Sequence, residues 1–123
     1  MNIGTDSSGA LLNENQLDTA YDVADQIGFK LLISFDQGCC TWNVNDVSRI
    51  INKYQGRPSY YKVNGKPFVS TFEGPSFASQ WNTVTKATGE IYLVPDWASV
   101  TPGRFADYFE KVDGACKESV VNG

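Results

Sequence analysis

The 123-residue chain contains no histidine. That excludes a Ser–His–Asp triad, an imidazole metal ligand and imidazole acid–base chemistry within it, and leaves proton transfer to carboxylates, lysine, tyrosine or cysteine. Basic residues are also scarce: 10 Lys and Arg stand against 14 Asp and Glu, a formal net charge of -4. Such a balance does not suit a phosphate backbone, so no nucleic-acid partner is expected. Phosphate-cradling loops are missing, as is a G-x-S-x-G nucleophile elbow. No apolar run is long enough to span a bilayer, and "MNIGTDSSG" has neither the basic region nor the apolar stretch of a signal peptide. No cofactor is implied, and nothing in the spacing of the acids demands a metal. Cysteine is limited to Cys39, Cys40 and Cys116. A disulfide between neighbours demands a strained peptide, so Cys39 and Cys40 are expected to be small buried or loop residues.

The composition that remains, 41% hydrophobic and 20% charged, is that of one globular unit with a modest core. Four segments carry helical periodicity. The first spans about Asn13 to Ile27, with Leu17, Ala20, Tyr21, Ala24 and Ile27 on one face, Asn13 as cap, Gln16 at the capping-box position and Gly28 as stop. The second follows Asn43 and turns Val44, Val47, Ile50, Ile51 and Tyr54 inward. A third begins near Ser76 and buries Phe77, Trp81, Val84 and Thr88, ending at Gly89. The fourth has Thr101 as cap, Pro102 at the first helical position, and Phe105, Tyr108, Phe109 and Val112 as its stripe.

Between them lie "FKLLISF", "KPFVSTF" and "EIYLVP", rich in β-formers, and "MNIG" reads as the tail of a further strand. Their near-continuous apolarity predicts strands covered on both faces, and alternation with helices predicts a parallel sheet. Asn64-Gly65 predicts a tight turn that makes Tyr60 to Val63 a hairpin arm.

Every predicted strand delivers a carboxylate at its C-terminal end: Asp6, Asp36, Glu73 and Asp96. In a parallel α/β fold those ends form the rim where ligands bind. Asp is also a favoured helix cap, but Asn13 and Asn43 lie nearer the helix starts than Asp6 and Asp36 do. Trp42 and Trp97 belong to no helix stripe. As exposed indoles beside acids they would suit a sugar ring, with the aromatic face on C–H groups and the acids on hydroxyls. Lids or packing plugs are the plainer roles for loop tryptophans.

The ordered strings "NIGTDS", "GFKLLISFD", "NGKPFVSTFEG" and "IYLVPDW" closely resemble glycoside hydrolase family 71, the fungal α-1,3-glucanases also called mutanases; the likeness runs from Asn2 to about Ala115. It implies a (β/α)8 TIM barrel, which takes about 250 residues. The chain is therefore expected to be an incomplete barrel of about four consecutive βα units with parallel strands. Residues 1–115 would be a partial catalytic domain, 116–123 a non-matching tail, and Met1 an internal residue or a mis-called start. The resemblance also implies hydrolysis of α-1,3-glucan with inversion, by two carboxyl groups roughly 6.5–9.5 Å apart.

The family's principal pair lies in a Trp-Asn-Asp-x-x-Glu type segment that this sequence lacks, so the isolated chain is expected to be inactive. Asp36, the acid of "SFD", matches a position needed for activity and is the expected catalytic residue, orienting sugar or water or tuning the pair. Asp6, Glu73, Asp96 and Trp97 match rim positions and, with Trp42, are expected sugar contacts. The implied partner is a polysaccharide, with no membrane and no obligate protein partner. The parent is expected outside the cell or in its wall, from the nature of the substrate. Two other readings stay open: a non-catalytic carbohydrate-binding remnant, and an unrelated open-sheet module for a small polar ligand.

Overall fold

Short apolar segments separated by helix-length amphipathic ones fold here as alternating strands and helices. The computed structural model describes residues 1–5, 11 and 13–107. In chain order these form β1 (Asn2–Ile3), α1 (Glu14–Ile27), β2 (Ile33–Asp36), α2 (Val44–Tyr54), β3 (Lys62–Val63), β4 (Lys66–Phe72), α3 (Trp81–Thr88) and β5 (Tyr92–Asp96), with 3-10 turns at Pro75–Gln80 and Pro102–Asp107. β1, β2, β4 and β5 lie side by side in that order and all run parallel. Among the described residues the sheet is open, with β1 and β5 at its edges. No described helix is long and apolar enough to cross a membrane.

The hairpin forms as the turn signal predicts. Asn64 (φ 52°) and Gly65 (φ 80°) both take positive φ, and β3 pairs antiparallel with the start of β4. Tyr60 instead makes a parallel bridge to Leu31. Its hydroxyl accepts from the Ile33 N–H at 3.4 Å and donates to the Phe68 carbonyl at 2.8 Å, joining β2 to β4 below the start of their ladder.

Strand parity sets the layers. Ile33, Phe35, Val69 and Leu93 point to one face, where they pack with Leu17 and Tyr21 of α1, Val47, Ile50, Ile51 and Tyr54 of α2, and Trp81 and Val84 of α3. Each such side chain contributes about 1.5–3 kcal/mol by leaving water. The opposite face carries Ser34, Asp36, Ser70, Val94 and Asp96, all half-buried, and Phe72, which is exposed. Where the sequence predicts strands covered on both faces, the three described helices all pack on one face, and among the described residues no helix covers the other.

Helix ends follow the expected chemistry unevenly. Asn43 caps α2, accepting from the Asp46 N–H at 2.8 Å while its amide donates to the Asp46 carboxylate at 2.8 Å. Gly28 ends α1 in the left-handed region (φ 75°), its N–H reaching Ala24 O. Asn13 does not cap α1. It is itself left-handed (φ 63°) and makes no side-chain cap bond. Ile27 is 70% exposed rather than buried, and with Val23 and Phe29 makes an apolar outer face. The third helix keeps its predicted stripe but opens as a 3-10 turn. The fourth is a 3-10 turn as far as Asp107, and Tyr108, Phe109, Val112, Cys116 and the tail lie outside the described residues.

A charge ladder locks α1 to α2. Glu14 meets Arg49 (3.2 Å) and Lys53 (2.6 Å), Asp18 meets Lys53 (3.2 Å), and Arg57 beyond α2 meets Asp22 (2.7 Å) and Asp25 (3.0 Å). The Tyr54 hydroxyl donates to Asp18 at 2.6 Å. Hydrogen bonds from Lys53, Tyr54 and Ser59 hold Glu14, Asp18 and Asp25, respectively, below the ordinary carboxylate range. Burial, reinforced by the bond to Asp18, pushes Tyr54 up to about 12.

Candidate functional site

Parallel pairing brings the strand-end acids to one edge. Asp36 stands opposite Phe72, and Phe72 opposite Asp96, so three adjacent strands end in one row of side chains. Glu73 follows at once, its N–H donating to the Asp96 carbonyl at 2.7 Å. Asp36, Glu73 and Asp96 therefore share the C-terminal rim; Asp6 lies outside the described residues. Phe72, in the middle of the row, was read from sequence only as part of an apolar run. Its parity with Asp36 and Asp96 is the signal that marks it.

Asp36 is held from both sides. Its Oδ1 accepts the Gly38 and Cys39 N–H groups at 3.1 and 3.0 Å, and its Oδ2 accepts the Asn2 amide at 3.0 Å. All three contacts are donated to it, so the group is fixed as an acceptor. It closes a turn after β2 and does not cap α2, which Asn43 does.

That turn corrects the expectation for the cysteines: Cys39 and Cys40 are joined as a disulfide. The pair packs over Gly4, where an added Cβ would stand 3.2 Å from both sulfurs. The Thr5 N–H points at the Cys40 sulfur at 3.4 Å, so the loop after β2 lies against the chain leaving β1.

Glu73 is built differently. Its backbone is left-handed (φ 61°), as is Gly74 (φ 81°). Its carboxylate accepts the Ser99 N–H at 2.8 Å and the Ser99 hydroxyl, tying the loop after β4 to the loop after β5. Between the loops after β2 and β4 lies a hollow of about 180 Å³ bordered by Gln37, Trp42, Gly74 and Gln80.

The indoles are not exposed as the sequence reading expects. Trp42 is 6% and Trp97 0% exposed. The Trp42 N–H donates to the Asp36 carbonyl at 3.0 Å and its ring meets Phe35 edge-on with centroids 5.0 Å apart. A polar handle on a large apolar body suits this place, because it satisfies a strand-end carbonyl while filling the core beneath the rim. Among the described residues no group of three His, Cys, Asp or Glu side chains is arranged to hold a metal.

Comparison with known proteins identifies the lineage of this rim. The chain is 28% identical over 137 aligned positions to the glucan endo-1,3-alpha-glucosidase agn1 of Schizosaccharomyces pombe, an alignment covering all of this chain and 29% of that protein. It is 37% identical over 101 positions to a mutanase of Penicillium rubens, covering 75% of this chain and 22% of the mutanase. The chain thus spans less than a third of the length of either relative. No solved structure matches it. The profile of glycosyl hydrolase family 71 matches residues 1–117, and with it an unrelated open-sheet module is set aside: the chain belongs to glycosyl hydrolase family 71.

Proposed function

We propose that this chain is about four consecutive βα units of a (β/α)8 barrel whose whole hydrolyses α-1,3-glucan with inversion, and that Asp36 is its contribution to the catalytic centre. One observation carries the reading: Asp36 and Asp96 end the two strands that flank β4 in a parallel sheet, in a single row at the edge where such folds do chemistry. The partial barrel is supported by strands adjacent in chain order with helices on one face only, and by the apolar outer face at Val23, Ile27 and Phe29. A further βα unit would cover that face. The substrate is supported by the similarity to the glucan endo-1,3-alpha-glucosidase of Schizosaccharomyces pombe.

Asp36 acts here by position. Anchored by two backbone N–H groups and Asn2, it presents an acceptor to a sugar hydroxyl or to the attacking water beside an acid and base supplied elsewhere in the barrel. Asp96 offers a second acceptor, and Asp6 a third. Glu73 offers a further acceptor and also sets the loop after β5, with one Ser99 donor on each of its oxygens. The longer protein works outside the cell or in the wall, where such a polymer lies.

The test is Asp36→Asn in that longer protein, assayed by sugar release from insoluble α-1,3-glucan. Asparagine keeps an acceptor for Gly38 and Cys39, so the circular dichroism spectrum stays unchanged while turnover falls about a hundredfold or more. Near-normal turnover would remove Asp36 from the centre. The isolated chain shows no turnover; measurable hydrolysis by it would refute the statement that the main acid–base pair lies outside it.

A further inference from the structure

The middle of the rim row holds a side chain out of keeping with its neighbours. Phe72 is 43% exposed on a face whose other rim members are carboxylates. It is the last residue of β4 and pairs with Asp36 on one side and Asp96 on the other, each about 4.8 Å away across the sheet. The ring lies against the turn after β2. Two of its carbons lie 3.1 Å from where a Cβ at Gly38 would stand, so it rests against the bare backbone of the turn that Asp36 closes.

Gly38 serves two purposes there: its N–H anchors Asp36 Oδ1, and its missing side chain leaves room for the ring. Behind Phe72 on the same face, Ser70 donates to the Val94 carbonyl at 2.7 Å, and Phe68 and Tyr92 pack with centroids 5.6 Å apart. The ring is therefore supported from below and at one edge.

We propose that Phe72 is a sugar-stacking residue: one glucosyl ring of the glucan lies on its face, with hydroxyls directed to Asp36 and Asp96. The proposal rests on the glucan-hydrolase reading above and adds a binding subsite to it. An apolar ring between two acceptors matches a pyranose, whose C–H face is apolar and whose rim is hydroxylated. It does not match a bare anion, which the flanking carboxylates repel.

The experiment is steady-state kinetics of the longer protein on soluble α-1,3-linked gluco-oligosaccharides. Phe72→Leu keeps an apolar side chain of similar bulk but removes the flat face, and it raises KM about tenfold. Phe72→Tyr restores the face and brings KM back towards that of the unsubstituted protein. Should Phe72→Ala prove insoluble, the Leu and Tyr pair still decides. An unchanged KM in Phe72→Leu overturns the proposal, and so does an equal loss in the Leu and Tyr variants, which marks a packing role. Asp36→Asn is run alongside. If it leaves turnover intact, the functional reading itself has failed; if it abolishes turnover while Phe72→Leu binds normally, only the stacking proposal has.

Discussion

Substituting Gly74 by alanine tests the rim's construction. Two costs arise at that position. The backbone is left-handed (φ 81°), which for an L-residue costs about 1–2 kcal/mol. The new methyl would also stand 1.6 Å from Gln37 Oε1 and 2.5 Å from Gln37 Cδ, so the Gln37 side chain must leave its place. Overpacking of that kind costs about 1–3 kcal/mol. Together they predict a loss of about 2–5 kcal/mol, a large part of the roughly 5–15 kcal/mol that a domain has.

The two costs separate in a double-mutant cycle. Both polar atoms of the Gln37 amide are buried without a hydrogen-bond partner, so Gln37→Ala alone shifts stability by no more than about 1 kcal/mol. In the Gly74→Ala, Gln37→Ala double variant the overlap is gone and only the backbone cost remains. It should therefore be more stable than Gly74→Ala alone by about 1–3 kcal/mol. Urea unfolding reads this as a midpoint recovery on the order of 1 M. A double variant destabilised by the full sum of the two singles would refute the reasoning, because it would mean that Gln37 is not what alanine meets.

Two further outcomes follow from the helical layer. Tyr21 and Tyr54 stack with centroids 4.8 Å apart, yet the Tyr21 hydroxyl is buried without a partner while that of Tyr54 donates to Asp18 at 2.6 Å. Tyr21→Phe is therefore neutral or stabilising and Tyr54→Phe costs about 1.5–3 kcal/mol, a contrast that thermal unfolding of the two variants checks directly. Glu14, Asp18 and Asp25 all sit below their ordinary range, so the folded chain binds fewer protons in acid than the unfolded one. Their contribution is complete above the unfolded carboxylate values near about pH 4 and is lost as pH falls through the depressed folded values. Urea midpoints measured from pH 7 downward should fall less steeply for Asp18→Asn than for the unsubstituted chain; parallel curves would contradict the assignment.

The sequence announces the strands by near-continuous apolarity and α2 by its Val47–Ile50–Ile51–Tyr54 stripe, while the parity-two burial of β2, β4 and β5 emerges only in the structure. The α1–α2 ladder is not legible in the sequence: Glu14, Asp18, Asp22 and Asp25 recur at helical spacing, as do Arg49, Lys53 and Arg57, but spacing alone does not say that the two rows meet. Nor is the burial of the indoles. A tryptophan next to a loop acid reads as exposed, and only the free carbonyl of Asp36, beneath the rim, explains why Trp42 turns inward. Asn13 misled for a related reason. Residue type marks it as a cap, but a cap needs an extended backbone at that residue, and no local pattern reveals a φ of 63°.

Helix cap or ligand contact were the two roles that sequence offers a strand-end acid, and the rim shows a third: each loop is fastened to its neighbour. Asn2 of β1 donates to Asp36, and Thr5 beyond β1 meets the Cys39–Cys40 loop. The Gln37 N–H reaches the Phe72 carbonyl, the Glu73 N–H reaches the Asp96 carbonyl, and Glu73 holds Ser99. Such a chain of contacts fixes the exits of four successive strands relative to one another, which a site for a multi-hydroxyl ligand requires before binding begins. It also ranks the acids. Glu73 takes one Ser99 donor on each oxygen and keeps acceptor capacity on both, but its place depends on the loop after β5. Asp36 is held by donors on its own turn and on β1. If the rim binds a glucan as proposed, loosening any one link should blur recognition at the neighbouring strand before it unfolds the sheet.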